Sequence, residues 1–503
     1  MWLLSYCTLL YNQCVSSFIR KVKTGSGATA VQIVCKKGRK VVAIKHIGSA
    51  HNDTELKLLI ALAYTKQHEG QIPLDFPKEQ TKEIYLEAAY SRVLWDILNY
   101  AYRKIGFDCI ADSVFKQLVI ARIIEPTSKL DTIRVLSNLG LEVPSNTAIH
   151  RSLKNANDNA YRNTLSQTCF NHVESAALTL LLYDVTTLYF EVQREDEFRK
   201  PGLSKERRLE PQVTIGLLTD STGFPLEIQS FEGNRAEVKT IIPVLQGFKE
   251  RHGTEDITVT ADAAMLSSAN IEALESLGYH YIIASKLAKT PYYITEYMAE
   301  NDAVLEDGQI FESCNTISLN GRQTKRRTIY QYRRKRAVLD LSNIEKTITK
   351  AQKIIDHKAD IKRNRFVTIT EDVRKLNLAL IEEARRKAGI KGYITDLDIP
   401  PQQIIDYYHQ LFLIEKAFRM SKSDLKARPI FHRKQDSIDA HLTIVFAALA
   451  VAHYIESCTG LSIKKVVRTL EAVRSGIICV DGVKYEAKPT ITDAVATIIE
   501  KLS

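Results

Sequence analysis

Apolar and polar residues alternate from Phe18 to Ile47, and Gly25, Gly27 and Gly38 interrupt the alternation. A period of two broken by turn residues predicts short strands. From Asn52 to about Asn157 apolar residues fall at steps of three and four, which predicts helices. The clearest are Tyr85–Ile105, Ser113–Ile124 and Lys129–Leu139; Gly140 is a stop, and Ser145 caps a further helix reaching about Asn155. Beyond Leu178 the runs become β-prone: Leu180–Phe190, Gln212–Leu218 and Phe224–Phe231. Helix and strand then alternate through Glu237–Arg251, Ile257–Asp262, Ser267–Leu277 and His280–Ala284. Strands followed by such alternation predict a mixed α/β layered sheet. Lys286 to about Ile390 interrupts it with a basic strand-like stretch and two charged helices, Asn343–Asp356 and Asp372–Ala388, and reads as an insertion. The strand pattern resumes at Gly392–Leu397, and Pro400 and Pro401 open one long helix to about Lys422.

Composition narrows the class. Of 503 residues, 45% are apolar and 25% charged, which excludes a disordered tail, a collagen and a coiled-coil rod. Lys+Arg number 69 against 59 Asp+Glu, a net +10 that suits a polyanionic partner. The eight cysteines contain no Cys-x-x-Cys pair and are too sparse for a disulfide scaffold, so free thiols are expected. His409, His441 and His453 lack zinc-finger spacing and read as core or surface residues. The apolar run Leu442–Ile455 is shorter than the roughly 20 residues a bilayer needs, so a buried helix is expected there. Met1–Ile19 has no basic leader. The expectation is a cytoplasmic protein without a membrane span.

Three acids stand out. Asp184 sits inside the apolar strand Leu180–Phe190, where a charge is costly unless paired. Asp262 ends the strand Ile257–Asp262, and the carboxyl ends of strands are where open α/β sheets bind ligands. Glu415 falls four residues after Leu411 and three before Phe418, on the apolar stripe of Ile404, Tyr408, Leu411 and Phe418. Each has a plain alternative: a private ion pair for Asp184 and Glu415, a turn or helix cap for Asp262. Three carboxylates about 5 Å apart would repel by roughly 3 kcal/mol per pair at an effective dielectric near 20. Cations between them would relieve that. All-oxygen ligands select Mg²⁺ or Mn²⁺, and two such ions about 4 Å apart suit phosphodiester chemistry.

Two basic features suggest DNA. His150, Arg151 and Lys154 would face DNA if Lys129–Leu139 and Ser145–Asn155 formed a helix-turn-helix. The long turn between them equally fits a plain bundle with a solvated basic face. Arg322–Arg336 contains no acid, and Tyr330 and Tyr332 lie among its charges, so bases could stack while Arg333, Arg334, Lys335 and Arg336 hold phosphates. A solvated edge strand blunted by charge is the alternative.

The chain resembles the DDE transposases of the IS4 superfamily, closest to the IS1634-like insertion-sequence group. Ser26–Gln32 and His46–His51 resemble that group's opening segment. Tyr183-Asp-Val-Thr-Thr187 resembles the first-acid block, with Gly223-Phe-Pro-Leu226 and Gly233-Asn234 after it. Thr260-Ala-Asp-Ala-Ala-Met265 resembles the second. Ile414-Glu-Lys-Ala-Phe-Arg419, Lys422, Arg428-Pro429 and His432 resemble the third. The superfamily signature is Tyr, two residues, Arg, three residues, Glu, six residues, Lys. Tyr408, Glu415 and Lys422 match it, and Leu411 stands where Arg belongs. The residues Met1–Ser17 look foreign to the group.

The resemblance implies an RNase H-like mixed-sheet core interrupted by a β-containing insertion and preceded by a small β segment and a helical DNA-binding region. The expected spans are 1–80, 81–172, 173–290, 291–390 and 391–503, in that order. It implies that Asp184, Asp262 and Glu415 hold two Mg²⁺ or Mn²⁺ ions. Lys422 would bind a phosphate near the scissile bond, Tyr408 would contact the same strand, and Arg419 would substitute for the missing Arg. The partners implied are double-stranded DNA, at transposon ends and target, and a second copy of the chain in the synaptic complex. The activity implied is strand cleavage at transposon ends and transfer into target DNA. A plain RNase H-like nuclease, a catalytically impaired DNA-binding remnant or repressor, and a protein-interaction module on the helical region are the other readings.

Overall fold

The computed structural model describes residues 16–68, 83–174, 177–190, 195–202, 210–265, 267–285, 287, 289–301, 304–319, 322–356, 364–370, 373–428, 430 and 432–503. Most of the foreign-looking N-terminus, with Cys7 and Cys14, and Pro429 of the third block lie outside the described residues. The chain divides into two compact units, Met1–Lys82 and Glu83–Ser503.

In the first unit β1 (Ser16–Lys23), β2 (Thr29–Lys37) and β3 (Lys40–Ala50) form an antiparallel meander. Its turns fall at the glycines that broke the alternation, and Gly27 and Gly38 take positive φ there. The helix Asp53–Gln67 follows. The Asn52 side chain accepts from Glu55 N, and Glu55 accepts in turn from His51 N. Val31, Ile33 and Ala63 join this helix to the meander in a small core.

The second unit opens with β4 (Ile84–Tyr90), where helical spacing had been read from Tyr85. Its partner lies near the other end of the chain, and pairing with it overrides local periodicity. Five helices follow, Arg92–Ile105, Ser113–Ile124, Thr132–Ser137, Asn146–Asp158 and Tyr161–His172. In Asn146–Asp158, Ile149, Ser152 and Leu153 face the core while His150, Arg151 and Lys154 are exposed.

The large sheet contains β5 (Leu180–Tyr189), β6 (Gln212–Thr219), β7 (Pro225–Glu232), β8 (Thr258–Ala261), β9 (His280–Ser285), β10 (Ile310–Leu319) and β11 (Arg322–Tyr332). After a separate hairpin of β12 (Val367–Thr370) and β13 (Val373–Leu376), β14 (Ile390–Thr395) completes it. The strand order is β10-β11-β14-β9-β8-β5-β6-β7. β5, β8 and β9 run parallel, and the other pairings are antiparallel. A three-stranded meander with two parallel strands added beside its first strand is consistent with the RNase H-like expectation. Last come β15 (Ser475–Val480) and β16 (Val483–Ala487); β15 lies between β16 and β4 and pairs antiparallel with both.

Two expected boundaries are not structural boundaries. β10 and β11 lie in the span read as an insertion, yet they hydrogen-bond into the main sheet through β14. Among the described residues of that span two small clusters stand apart from the main core, one around Ile344, Ala351, Phe366 and Ile381 and one around Ile294, Leu305 and Ile390. The helical span 81–172 is likewise not a separate body. The helix Gln435–Thr459 packs on β7 and on the helices Arg92–Ile105, Ser113–Ile124 and Asn146–Asp158, making one continuous core with the sheet. This helix is long and apolar enough to cross a membrane, but its residues from His441 to Ala452 are all buried inside the protein.

The loops around the sheet are held by close backbone approach. Gly233 N donates to Phe198 O, and a Cβ on Gly233 would collide with the carbonyl oxygens of Gln212 and Lys200. Neither backbone can give way cheaply. Gly233→Ala is therefore expected to destabilise the protein by about 1–3 kcal/mol, read as a lower midpoint in urea unfolding. An unchanged midpoint would show that the loop relaxes.

Candidate active site

The pairing of β5 with β8 decides where two of the acids go. Leu181 pairs with Val259, Leu182 with Thr260 and Tyr183 with Ala261. Carried one step past the end of β8, this register sets Asp262 opposite Asp184 of β5, and neighbouring strands lie about 4.8 Å apart. Side chains alternate along a strand, so equal register places both acids on one face. The Tyr183 side chain runs the other way, and its hydroxyl donates to Thr240 Oγ1 at 2.8 Å. Gly216 on β6 leaves room for it, since a Cβ there would lie 2.5 Å from the tyrosine oxygen.

The third acid arrives on a helix that is not continuous. The stretch read as one helix is Pro401–His409, then Leu411–Arg419, then a π-turn Met420–Asp424. Around Gln410 the bonds tighten to three-residue steps, with Gln410 N to Tyr407 O at 3.2 Å and Leu413 N to Gln410 O at 2.8 Å. The middle piece packs on β5 and β6 and buries Leu411, Ile414, Ala417 and Phe418. At about 100° per residue these side chains span one face, and Glu415 falls at its margin. Glu415 is thus exposed rather than inside the apolar stripe. It opens on a cavity of about 270 Å³ that Asp184, Asp262, Tyr408, Leu411 and Lys391 also line.

Around this cavity the acids have close neighbours, of which Lys391 and Tyr393 were not singled out by the sequence. Asp262 Oδ1 accepts from Ala263 N at 2.7 Å and from the Tyr408 hydroxyl at 3.2 Å. The Tyr408 ring packs 4.9 Å from that of Tyr393. The Lys391 ammonium sits 4.0 Å from the Tyr408 ring centroid, a cation–π contact. Burial pushes the Tyr408 hydroxyl pKa up, and the Asp262 charge adds to it. Burial lowers Lys391 to about 8; the Arg336 charge lowers it too, while Asp262 and Glu415 pull it back up. Burial also lowers His409, with the Lys391 and Arg333 charges behind it. Lys391 is the one Lys or Arg among the residues lining the cavity. As a lone charge beside Gly392 at the start of an apolar strand, it carried no spacing signal.

Of the other expected residues, Tyr408 lines this cavity, while Lys422 and Arg419 do not. Tyr408 is buried, and its hydroxyl is directed at Asp262 rather than outward to a DNA strand. Leu411 gives the cavity an apolar wall where the signature has Arg. Lys422 lies in the π-turn, half-buried, and is not among the lining residues. Arg419 lines a different cavity, with Thr222, Lys416 and His453.

Tyr330 and Tyr332 pack into a small core with Ile294, Leu305 and Ile390, so base stacking is not open to them. Alternation along β11 turns both rings inward. Arg333, Arg334, Lys335 and Arg336 are exposed, the last three opening the helix Arg334–Ile355. Asp307 and Asp340 pair with Arg333 and Arg336. The charges of Arg333 and Arg336 also reach Tyr393 beside the cavity.

The donor set is three carboxylates around one cavity, all oxygen, of the kind that suits a hard divalent cation. Among the described residues no three His, Cys, Asp or Glu side chains are grouped closely enough to hold a metal as they stand. The acids surround the space rather than meet at a point.

The helix face can be checked. Ile414→Ala is expected to cost about 2–5 kcal/mol because its side chain is fully buried over β5. Phe412→Ala, 60% exposed on the opposite side, should stay within about 0.5 kcal/mol. Thermal unfolding with the reverse ranking would overturn this orientation of Glu415.

The transposase DDE domain family matches residues 176–451, more than half of the chain. A piggyBac transposase synaptic complex with hairpin DNA is similar over 76% of this chain and 70% of that chain, at 11% identity and a TM-score of 0.38. A Mos1 transposase paired-end complex with the left transposon end is similar over 35% and 55%, at 15% identity and a TM-score of 0.16. No curated protein matches the chain. The matched span runs from just before β5 into the helix Gln435–Thr459 and takes in Asp184, Asp262 and Glu415, and the chain belongs to the DDE transposase domain family.

Proposed function

We propose that the protein is an insertion-sequence transposase of the IS4 superfamily, in its IS1634-like group, that cleaves DNA at transposon ends and joins the freed end to target DNA. The observation that carries this reading is the opening of Asp184, Asp262 and Glu415 onto one cavity. These three would hold two divalent ions, Mg²⁺ or Mn²⁺, which supply an activated water and stabilise the leaving oxygen. Tyr408, a positioning residue, holds the Asp262 carboxylate through its hydroxyl. Lys391 contributes the cavity's positive charge, and its ammonium suits a non-bridging oxygen of the scissile phosphate. It stands in for the signature Arg that Leu411 replaces.

In cleavage a water oxygen bonds to phosphorus and the P–O3′ bond breaks, leaving a 3′-hydroxyl on the transposon end. In strand transfer that hydroxyl attacks a target phosphodiester, forming one P–O bond and breaking another without an added oxidant or energy source. Lys422 and Arg419, beyond the cavity on the same length of chain, and Arg333–Arg336 near its rim would hold the DNA backbone. A homodimer would bring two ends together.

The repressor reading is favoured by Leu411, and the plain-nuclease reading by the acids taken alone. A metal-supplemented nicking assay on end DNA, followed by strand transfer from a pre-cut end, separates the three. Asp184→Asn, Asp262→Asn and Glu415→Gln are each expected to slow nicking by on the order of 10²–10³-fold or more, with duplex binding in chelator retained. Any of them nicking at the wild-type rate would remove that acid from the site. Wild-type binding without nicking would establish a repressor, and nicking without joining a nuclease. Lys391→Met should slow nicking by on the order of 10²-fold, with Lys391→Arg recovering part of the rate; a Met variant at full rate would free Lys391 of this role.

A further inference from the structure

A second basic centre lies where the helix Ser113–Ile124 meets the chain after Asp424. Arg122 is 7% exposed and His441 3% exposed. Arg122 Nη2 lies 3.3 Å from His441 Nδ1, and Lys129 Nζ lies 3.5 Å from the same nitrogen. On its other side His441 Nε2 faces the Ala427 carbonyl at 3.0 Å. A carbonyl only accepts, so Nε2 carries the proton and Nδ1 is the acceptor that two cations share. Arg122 Nη1 also donates to Lys426 O at 3.4 Å. The His432 ring lies 5.8 Å from that of His441.

The nearby acids are engaged elsewhere. Glu125 and Asp131 hold Arg134, Asp439 holds Arg162, and Asp424 holds Lys464. Among the described residues no carboxylate pairs with Arg122 or Lys129. Buried cations without a counter-charge are costly. Burial lowers Arg122 to about 10. Burial and the Arg122 charge push Lys129 well below its ordinary value. Burial, then Lys129 and Arg122, lower His432 to about 4. One anion would relieve all of these at once. The centre also opens outward: Lys129 and His432 are half-buried, and Lys426 and His150 are exposed.

We infer that Arg122, Lys129 and His432 form a phosphate site, separate from the acid cavity, that takes a backbone phosphate of the bound DNA, with His441 as the positioning residue that Arg122 and Lys129 share. None of these residues lines the acid cavity. The identification of the phosphate as DNA's rests on the transposase reading. The chemistry is common to a DNA phosphodiester and a free phosphate ion, and duplex DNA is favoured because a strand could engage this mouth and exposed His150 together.

The test uses Lys129→Met and Lys129→Arg in the full chain, with Met preserving the aliphatic stem. Binding of a fluorescein-labelled DNA duplex of mixed sequence is followed by anisotropy across a chloride titration, without divalent metal. Lys129→Met is expected to bind about tenfold more weakly, with the slope of log K against log salt reduced by about one. Lys129→Arg should keep the wild-type slope. Without DNA, Lys129→Met should unfold no lower than wild type, because an uncompensated buried charge has gone; a purely structural lysine would give a lower temperature. Equal affinity and slope in wild type and Lys129→Met would overturn the site. Inorganic phosphate raising the unfolding temperature of wild type but not of Lys129→Met, with DNA binding unchanged, would assign a free-phosphate site and overturn the DNA assignment. A wild-type protein that does not bind the duplex at all would instead overturn the transposase reading, and the DNA assignment with it.

Discussion

The parallel pairing of β5 with β8 is the constraint on which the rest of the site depends. It sets Tyr183 level with Ala261 and so brings Asp184 and Asp262 side by side on one face of the sheet. A slip of one residue in either strand would send one acid to the opposite face. The register is held from both sides. β5 also pairs antiparallel with β6, where Gly216 makes space for Tyr183, and the Tyr183 hydroxyl ends on Thr240. Burial of these strands therefore stabilises an arrangement that the two like charges oppose.

The charges are managed locally. Asp262 is tied to a backbone N–H and to the Tyr408 hydroxyl, and Tyr408 in turn lies under the Lys391 ammonium. The helix Leu411–Arg419 covers the sheet with its apolar side and presents Glu415 at its margin, where a carboxylate stays hydrated. This placement removes the cost a fully buried glutamate would incur. Leu411 closes the cavity with apolar surface, so positive charge reaches it from the neighbouring strand. Among the described residues Lys391 is the one Lys or Arg that lines the cavity with the three acids.

The three acids and the main strands were legible in the sequence because each is a local contradiction or a local period. Asp184 breaks an apolar strand, Asp262 ends one, and Glu415 falls among apolar residues at helical spacing. The errors share a different cause. Tyr85–Tyr90 reads as the start of a helix, but its strand partner is Ser475–Val480. Tyr330 and Tyr332 read as stacking platforms until the partners of β11 turn them into a small core. The single helix expected after Pro400 breaks at Gln410, where neither Pro nor Gly marks the bend. Lys391 went unnoticed because its role comes from what lies across the cavity.

By itself the sequence determined the kinds of element, the acids that do not belong in an apolar setting, and the basic balance that suits a polyanion. Those follow from periodicity and desolvation, which act over a few residues. Only the tertiary structure decided that the helical span and the sheet share one core, that Glu415 sits at the edge of its helix's buried face, and that Tyr408 meets Asp262 beneath the Lys391 ammonium. Each of these depends on strand register and helix packing between segments far apart in the chain. Such pairings are selected by the burial of both partners together, so neither segment records them alone.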